Sequence, residues 1–220
     1  MRVMQVVQRL APGGLEVLAV DLLRMMPSDD FGSIVSLDGA VDDLTQAWRH
    51  LEAYRENIIA LNKVGGVSPR LILQLSKLMK TQRIDVVHTH HIGPLLYAGL
   101  AARLAGVRAH IHTEHYVWHL ESPRARMLQG VLLRLCRPKH VAITSQMAKE
   151  LEQMFKRPVH VIPNGIDTDR FVGRDPSSSG RLPLKIGAAG RLEQIKGMDL
   201  LIDAFALFLE KTFSPGDYRL

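Results

Sequence analysis

The sequence predicts an α/β protein: a doubly wound parallel sheet over residues 1–172, then the first strand and helix of a second unit of the same kind over residues 184–220. Three observations predict it. From Val3 to Ile162, short apolar runs bounded by turn residues alternate with amphipathic runs of helical spacing. That is the pattern of a mainly parallel sheet covered by helices on both faces. Gly13-Gly14 joins the first apolar run to the first helical one, a strand–turn–helix connection. Asp175-Pro176-Ser177-Ser178-Ser179-Gly180 has linker chemistry, and a new strand–helix unit opens beyond it at Leu184. Residues 173–183 are therefore read as the connection.

The elements follow in order. Val3 to Val7 is the first strand, ending at Leu10-Ala11-Pro12-Gly13-Gly14. A helix runs from Leu15 or Glu16 to Met26, with Val17, Leu18, Val20 and Leu22 apolar. Ser33 to Leu37 is a strand, Val41 to Leu51 a helix and Ile58 to Leu61 a strand. Pro69 to Lys80 is a helix with Ser68 as N-cap and proline at its first position. Asp85 to Thr89 is a strand, Pro94 to Ala105 a helix closed by Gly106, and Ala109 to Thr113 a strand. Arg124 to Arg137 is helical and Val141 to Ile143 extended. Ser145 caps a helix reaching Phe155, and Val159 to Ile162 closes the unit as a strand. Beyond the linker come a strand from Leu184 to Ala189, a helix from Met198 and a strand start at Tyr218-Arg219-Leu220.

Composition narrows the class. The chain has 220 residues, 46% of them hydrophobic, enough for a sizeable core. A formal charge of +6 suits phosphate-bearing ligands, nucleic acid or an anionic membrane surface. Aromatic residues are only 5%, too few for a single-strand stacking platform, so no nucleic-acid partner is expected. The single Cys136 excludes an internal disulfide framework. No apolar run approaches the roughly 20 residues of a membrane span, and the first residues are too polar for a secretory leader. The expected location is cytoplasmic, with the inner face of the membrane as a further option.

The stretch from Ile186 to Phe205 carries the clearest chemistry. A strand ends at Gly190, Arg191 and Lys196 lie in the following loop, and Leu201, Ile202, Phe205, Phe208 and Leu209 recur at helical spacing. Two cations and free N–H groups at a helix start suit a phosphate or diphosphate. A solvated basic loop is the plain alternative. Gly190-Arg191-Leu192, Lys196-Gly197 and Leu201-Ile202-Asp203-Ala204-Phe205 resemble the retaining glycosyltransferases of the family-four type, which have a GT-B fold of two Rossmann-like domains. Gly13-Gly14-Leu15-Glu16, Asp85-Val86-Val87-His88-Thr89-His90, Thr113-Glu114-His115 and Pro163-Asn164-Gly165-Ile166-Asp167 resemble further stretches of that family in the same order.

The resemblance implies roles. Arg191 and Lys196 would grip the diphosphate of a nucleotide-sugar donor, and His115 would lie beside the sugar and phosphate; these three form the implied catalytic set. Gly13, Gly14 and Glu16 would face donor phosphate and acceptor. His88 and His90 match the family's paired histidines, and Asn164 and Gly165 would line the cleft at the crossover between domains. The acceptor would be a glycan or a lipid-linked sugar, and no cofactor or metal is implied. The family's paired glutamates would lie beyond Leu220, so residues 184–220 read as a truncated second domain; this chain is expected to be inactive by itself, and that segment either to be mobile or to self-associate through its uncovered helix face.

Other readings stay beside this one. Nine of the ten histidines lie between His88 and His160. They can be hydrogen-bonded structural residues, the preferred reading for His110, His140 and His160; a metal group; or a pocket at the strand ends. A metal-dependent hydrolase would need a ligand set that is incomplete here, with no His-Glu-x-x-His helix and no cysteine pair. A non-catalytic nucleotide- or sugar-phosphate-binding module is the other alternative. Asp167-Thr168-Asp169 spells an Asp-x-Asp but continues a turn, and no metal role is assigned to it. The basic helix from Arg124, with Met127, Leu128, Val131, Leu132 and Leu135 on its apolar side, is read as packing on the sheet, with peripheral membrane contact as the alternative.

Overall fold

A computed structural model describes residues 1–170, 184–190, 192–211 and 218–219 of the chain. The chain falls into two compact units, Met1–Asp167 and Thr168–Leu220. The first is a seven-stranded sheet in the order β3-β2-β1-β4-β5-β6-β7, parallel throughout. Its strands are β1 (Arg2–Val7), β2 (Phe31–Ser36), β3 (Ile58–Ala60), β4 (Val86–His90), β5 (Ala109–Glu114), β6 (Lys139–Ala142) and β7 (His160–Val161). The principal helices are α1 (Gly14–Arg24), α2 (Val41–Ala47), α3 (Pro69–Thr81), α4 (Ile92–Pro94), α5 (Leu100–Ala105), α6 (Pro123–Cys136) and α7 (Ser145–Phe155). The second unit contains a parallel pair, β8 (Leu184–Lys185) with β9 (Tyr218–Arg219), and α8 (Met198–Glu210).

Side chains alternate across the sheet, and each face finds its own cover. Met4, Val6 and Val87 pack against Leu71, Leu75 and Met79 of α3 and Ala101 of α5. On the opposite face Val7 and Ile34 meet Ala19 and Val20 of α1 and Leu44 of α2. A third cluster joins Leu132, Leu133 and Cys136 of α6 to Ala148, Leu151 and Phe155 of α7. The winding reverses after β3: β1 pairs with β2 on one side and with β4 on the other. The chain is thus doubly wound, as its alternation predicts.

Several local features differ from the sequence reading. The helix expected from Pro94 begins at Ile92 and contains a π-helical turn, Leu95–Gly99. Gly99 has a packing reason, since a β-carbon there would lie 2.9 Å from Cys136 Sγ and 3.0 Å from His110 Cε1, both in the core. The cap of α7 is Thr144, whose Oγ1 accepts from Met147 N; Ser145 is already helical. Ser68 precedes α3 with extended backbone but makes no side-chain cap bond. The helix expected over Val41 to Leu51 splits into α2 and a 3-10 segment, Arg49–Asn57. The strand expected over Leu184 to Ala189 is confined to Leu184–Lys185. The linker at 173–183 and Leu220 lie outside the described residues.

The largest correction concerns α6. Of the five apolar residues assigned to its inner side, only Leu132 is buried; Met127, Leu128, Val131 and Leu135 are exposed. The helix turns Gln129, Leu132, Leu133 and Cys136 inward. Both stripes are apolar, and the inner one wins because Gln129 finds a buried hydrogen-bond partner there.

Candidate active site

In doubly wound sheets ligands bind outside the carboxyl ends of the strands, where the order reverses. Here that point lies between β1 and β4, and the groups assembled around it come from β1, β4 and β5. The register aligns Gln5 with His88, His88 with Ile111, and His90 with Thr113, so these residues share one face. Gln5 Oε1 lies 2.9 Å from His90 Nε2 across the reversal. His90 Nδ1 lies 3.0 Å from Nε2 of His115, one residue past β5. The His88 ring sits 4.1 Å from that of His90, and its Nε2 is 2.7 Å from Thr113 Oγ1. His91 turns the chain out of β4 with φ 72 and places its ring 4.3 Å from Tyr116.

This cluster is held neutral. Burial lowers His88 to about 3 and takes His90 well below the ordinary imidazole value, with the neighbouring imidazoles adding to both shifts. Burial also lowers His91 and His115 to about 4, against an opposing pull from the Glu114 carboxylate. Near neutral pH these rings are hydrogen-bonding and stacking groups, not cations.

The opposite face of the same strands carries a second, fully enclosed network. Thr89 Oγ1 lies 3.0 Å from His112 Nδ1, and His112 Nε2 lies 2.9 Å from Glu114 Oε1. Gln129 of α6 donates to the same oxygen, and His119 Nε2 is 3.0 Å from Gln129 Oε1. Burial alone would raise the Glu114 carboxyl; the hydrogen bond and charge of His112 outweigh it and bring it to about 2. Ligand atoms of His112, Glu114 and His140 lie within 4.8 Å of one another, close enough to hold an ion by distance. His112 and Gln129 both bond Glu114 Oε1, while Glu114 Oε2 and both ring nitrogens of His140 are buried without a hydrogen-bond partner among the described residues, so within the trio only His112 and Glu114 are hydrogen-bonded to each other.

The residues singled out in the sequence separate into groups. His88, Asn164 and Gly165 line one cavity of about 430 Å³, walled by Val86, Ile111 and Leu18. His90 and His115 are bonded to each other at its strand-end side. Gly13 is the N-cap residue of α1 and Gly14 its first residue; a β-carbon on Gly13 would collide with the Glu16 carboxylate, while Gly14 faces open space. Asp167 pairs with Arg24 of α1 at 2.6 Å, which ties the end of the first unit to its first helix. Lys196 belongs to the second unit, exposed in the short turn Gln194–Lys196 ahead of α8. Arg191 lies outside the described residues. Sequence reasoning placed His91 with His88 and His90 at a strand end but missed Gln5 and the roles of Glu114 and Gln129; the available signal for Gln5 was a polar residue at the centre of Val3-Met4-Gln5-Val6-Val7.

Comparison with known proteins follows the same geometry. A galactosyltransferase of Escherichia coli, named for transfer from UDP-Gal to α-D-GlcNAc-diphosphoundecaprenol, is 31% identical over 110 residues, covering 46% of this chain and 28% of its own. The crystal structure of Anabaena Alr3699/HepE in complex with UDP and glucose matches with a TM-score of 0.73 at 19% identity, over 94% of this chain and 58% of that one. A glycosyltransferase from Rickettsia africae matches with a TM-score of 0.66 at 21% identity, over 96% and 58%. The chain thus spans less than two thirds of the length of each of these proteins, and the structural likenesses establish the GT-B type of fold. The Glycosyltransferase Family 4 profile matches residues 12–170, and with that match across most of its length the chain belongs to Glycosyltransferase Family 4.

Proposed function

We propose that the whole protein transfers a sugar from a nucleotide-diphosphate donor to a glycan or lipid-linked acceptor with retention at the anomeric carbon. In this reading residues 1–172 form the acceptor-side domain, 173–183 the linker and 184–220 the start of the donor-binding domain. The observation that carries it is the neutral His90–His115 pair at the strand ends where a family-four sheet reverses, with the Gly13-Gly14 turn following the neighbouring strand β1. The complex of the Anabaena relative with UDP and glucose supports the donor class. The diphosphate gains charge as the glycosidic bond breaks; Arg191 and Lys196 stabilise that charge, and N–H groups at Gly13-Gly14 assist. His115 orients the sugar, with His88, His90, Glu16, Asn164 and Gly165 completing the binding surface.

In the whole protein, Arg191→Ala, Lys196→Ala and His115→Ala should each lower transfer about 10- to 100-fold, the loss of one charge-assisted or buried hydrogen bond. Their melting temperatures should barely move. The check is nucleotide release from candidate donors, and wild-type rates in all three variants would sink the assignment.

The acceptor side has its own support. Arg124, Met127, Leu128, Val131, Arg134 and Leu135 are all exposed on α6, a mixed basic and apolar stripe of the kind that lies in an anionic membrane surface. The E. coli relative is named for a lipid-linked acceptor. The chain should therefore sediment with vesicles containing anionic phospholipid and not with neutral ones. Met127→Glu with Leu135→Glu should reduce the bound fraction at least several-fold, given the charge repulsion added to lost apolar contact. Equal sedimentation of the variant and the parent would remove α6 from the membrane reading.

A further inference from the structure

The hydrogen-bond chain from β1 to His115 has a direction, and that direction fixes which nitrogen of His115 is protonated. Gln5 Oε1 is a carbonyl oxygen and only accepts. The ring nitrogen 2.9 Å from it, His90 Nε2, must carry a proton. A neutral imidazole has one N–H, so His90 Nδ1 holds a bare lone pair. His115 Nε2 lies 3.0 Å from that lone pair and must donate to it. His115 is itself neutral, so its Nδ1 is bare. That atom makes no hydrogen bond among the described residues, and it is not among the buried unpartnered atoms. It is open at the strand ends.

We propose that Gln5 and His90 are positioning residues that lock His115 in the tautomer with an unprotonated Nδ1, so that His115 meets substrate as a hydrogen-bond acceptor. This rests on the glycosyl-transfer reading of His115 and sharpens it. A bare nitrogen accepts from a hydroxyl and repels a phosphate oxygen. His115 therefore takes a sugar hydroxyl and leaves the diphosphate to other groups. The burial of Gln5 and His90 sustains the lock. Neither can exchange its partner for water, and His90 stays neutral because a charged ring there would be desolvated. If His90 were protonated, both its nitrogens would donate and the tautomer of His115 would reverse.

The test is ¹⁵N NMR of the imidazoles in this chain at pH 7.5. Wild type should show His115 protonated at Nε2 alone. Gln5→Met, close in volume but without the acceptor, should give His115 signals averaged between the two tautomers. Gln5→Glu sets a carboxylate against His90 Nε2, which favours a charged His90, and should move the His115 proton to Nδ1. The circular-dichroism spectrum shows whether each variant is folded; if Gln5→Met is not, His90→Asn serves in its place and should also release the tautomer. A proton on Nδ1 in the wild type, or an unchanged His115 signal in a folded Gln5→Met or His90→Asn, would overturn the proposal.

A second readout uses the whole protein and a donor lacking one sugar hydroxyl at a time. For one of these donors, wild type should lose about tenfold in kcat/KM, the worth of one hydrogen bond. Gln5→Met should lose markedly less on the same change. Equal sensitivity of both proteins to every deoxy donor would also overturn the proposal. If His115→Ala is fully active while the NMR pattern holds, it is the catalytic reading that fails and the lock that stands.

Discussion

Acidification from pH 7 to about pH 5 should unfold the first unit. His88 and His110 are lowered to about 3, His91, His115 and His140 to about 4, and His90 well below its ordinary value, in every case first by burial. In the unfolded chain all six titrate near 6.5. Above that pH both states are neutral and the shifts contribute nothing to the pH dependence. Between pH 6.5 and about 4 the unfolded chain takes up protons that the folded one refuses, so stability falls as pH falls. Each group contributes about 1.4 kcal/mol per pH unit, so six of them remove up to about 8 kcal/mol by pH 5.5. That matches the whole stability of an ordinary domain, about 5–15 kcal/mol. The Glu114 pKa is lowered too, but for a carboxyl this favours the charged folded form; that contribution is lost only as pH falls from its ordinary value toward about 2, below most of the range where the histidines act. The measurement is urea unfolding followed by circular dichroism at half-unit steps of pH. A stability that stays flat from pH 7 to 5 would show that these rings are solvated in the fold.

The second large effect is expected at Glu114. Its carboxylate is fully buried and accepts from His112 and Gln129, and Gln129 in turn meets His119. Glu114→Ala leaves those donors facing a cavity with no acceptor. Leaving buried donors without an acceptor costs about 1–3 kcal/mol for each. Glu114→Gln retains the shape and one acceptor oxygen and should lose about half as much or less. The two variants separate charge and hydrogen bonding from simple filling of space. Urea midpoints at pH 7.5 measure both. A loss below about 1 kcal/mol in Glu114→Ala would mean that water or a rearranged His140 replaces the carboxylate at little expense. Because Glu114 is the last residue of β5, the same substitution should loosen His115 next to it.

Much of this architecture could be read in the chain itself, for physical reasons that differ from place to place. A parallel strand buried on both faces writes a mostly apolar run, and Val3 to Val7 and Ile34 to Leu37 do so, each with a single polar residue, Gln5 and Ser36. Turn chemistry at Gly13-Gly14 and Gly106 punctuates those runs. His115 and the histidines of β4 were singled out from their place at strand ends together with the family resemblance. Periodicity shows that α6 has an apolar stripe but not which stripe faces inward when two are apolar, so Met127 and Leu135 were placed on the wrong side. The π turn at Leu95–Gly99 was invisible because its residues suit an α-helix equally well; the extra residue follows from fitting Gly99 against Cys136 and His110, which are distant in sequence. Gln5 could be seen as an exception within a strand, but its partner His90 lies on another strand and only the fold brings them together.

The strand order also dictates how this unit can assemble. β1 is made first, yet it ends at the centre of the sheet with β4 on one side. While a ribosome is still making α3, β1 can zip to β2, but its other edge offers bare N–H and C=O groups to any passing strand. That edge closes only after β4 has emerged and the chain has crossed to the opposite face. The slow event is therefore one non-local pairing, Val3 with Val86 through Val6 with Thr89. The same event brings Gln5 to His90. The histidine cluster and the folding bottleneck share one seam, and a nascent chain that stalls before β4 leaves the β1 side of that seam unpaired.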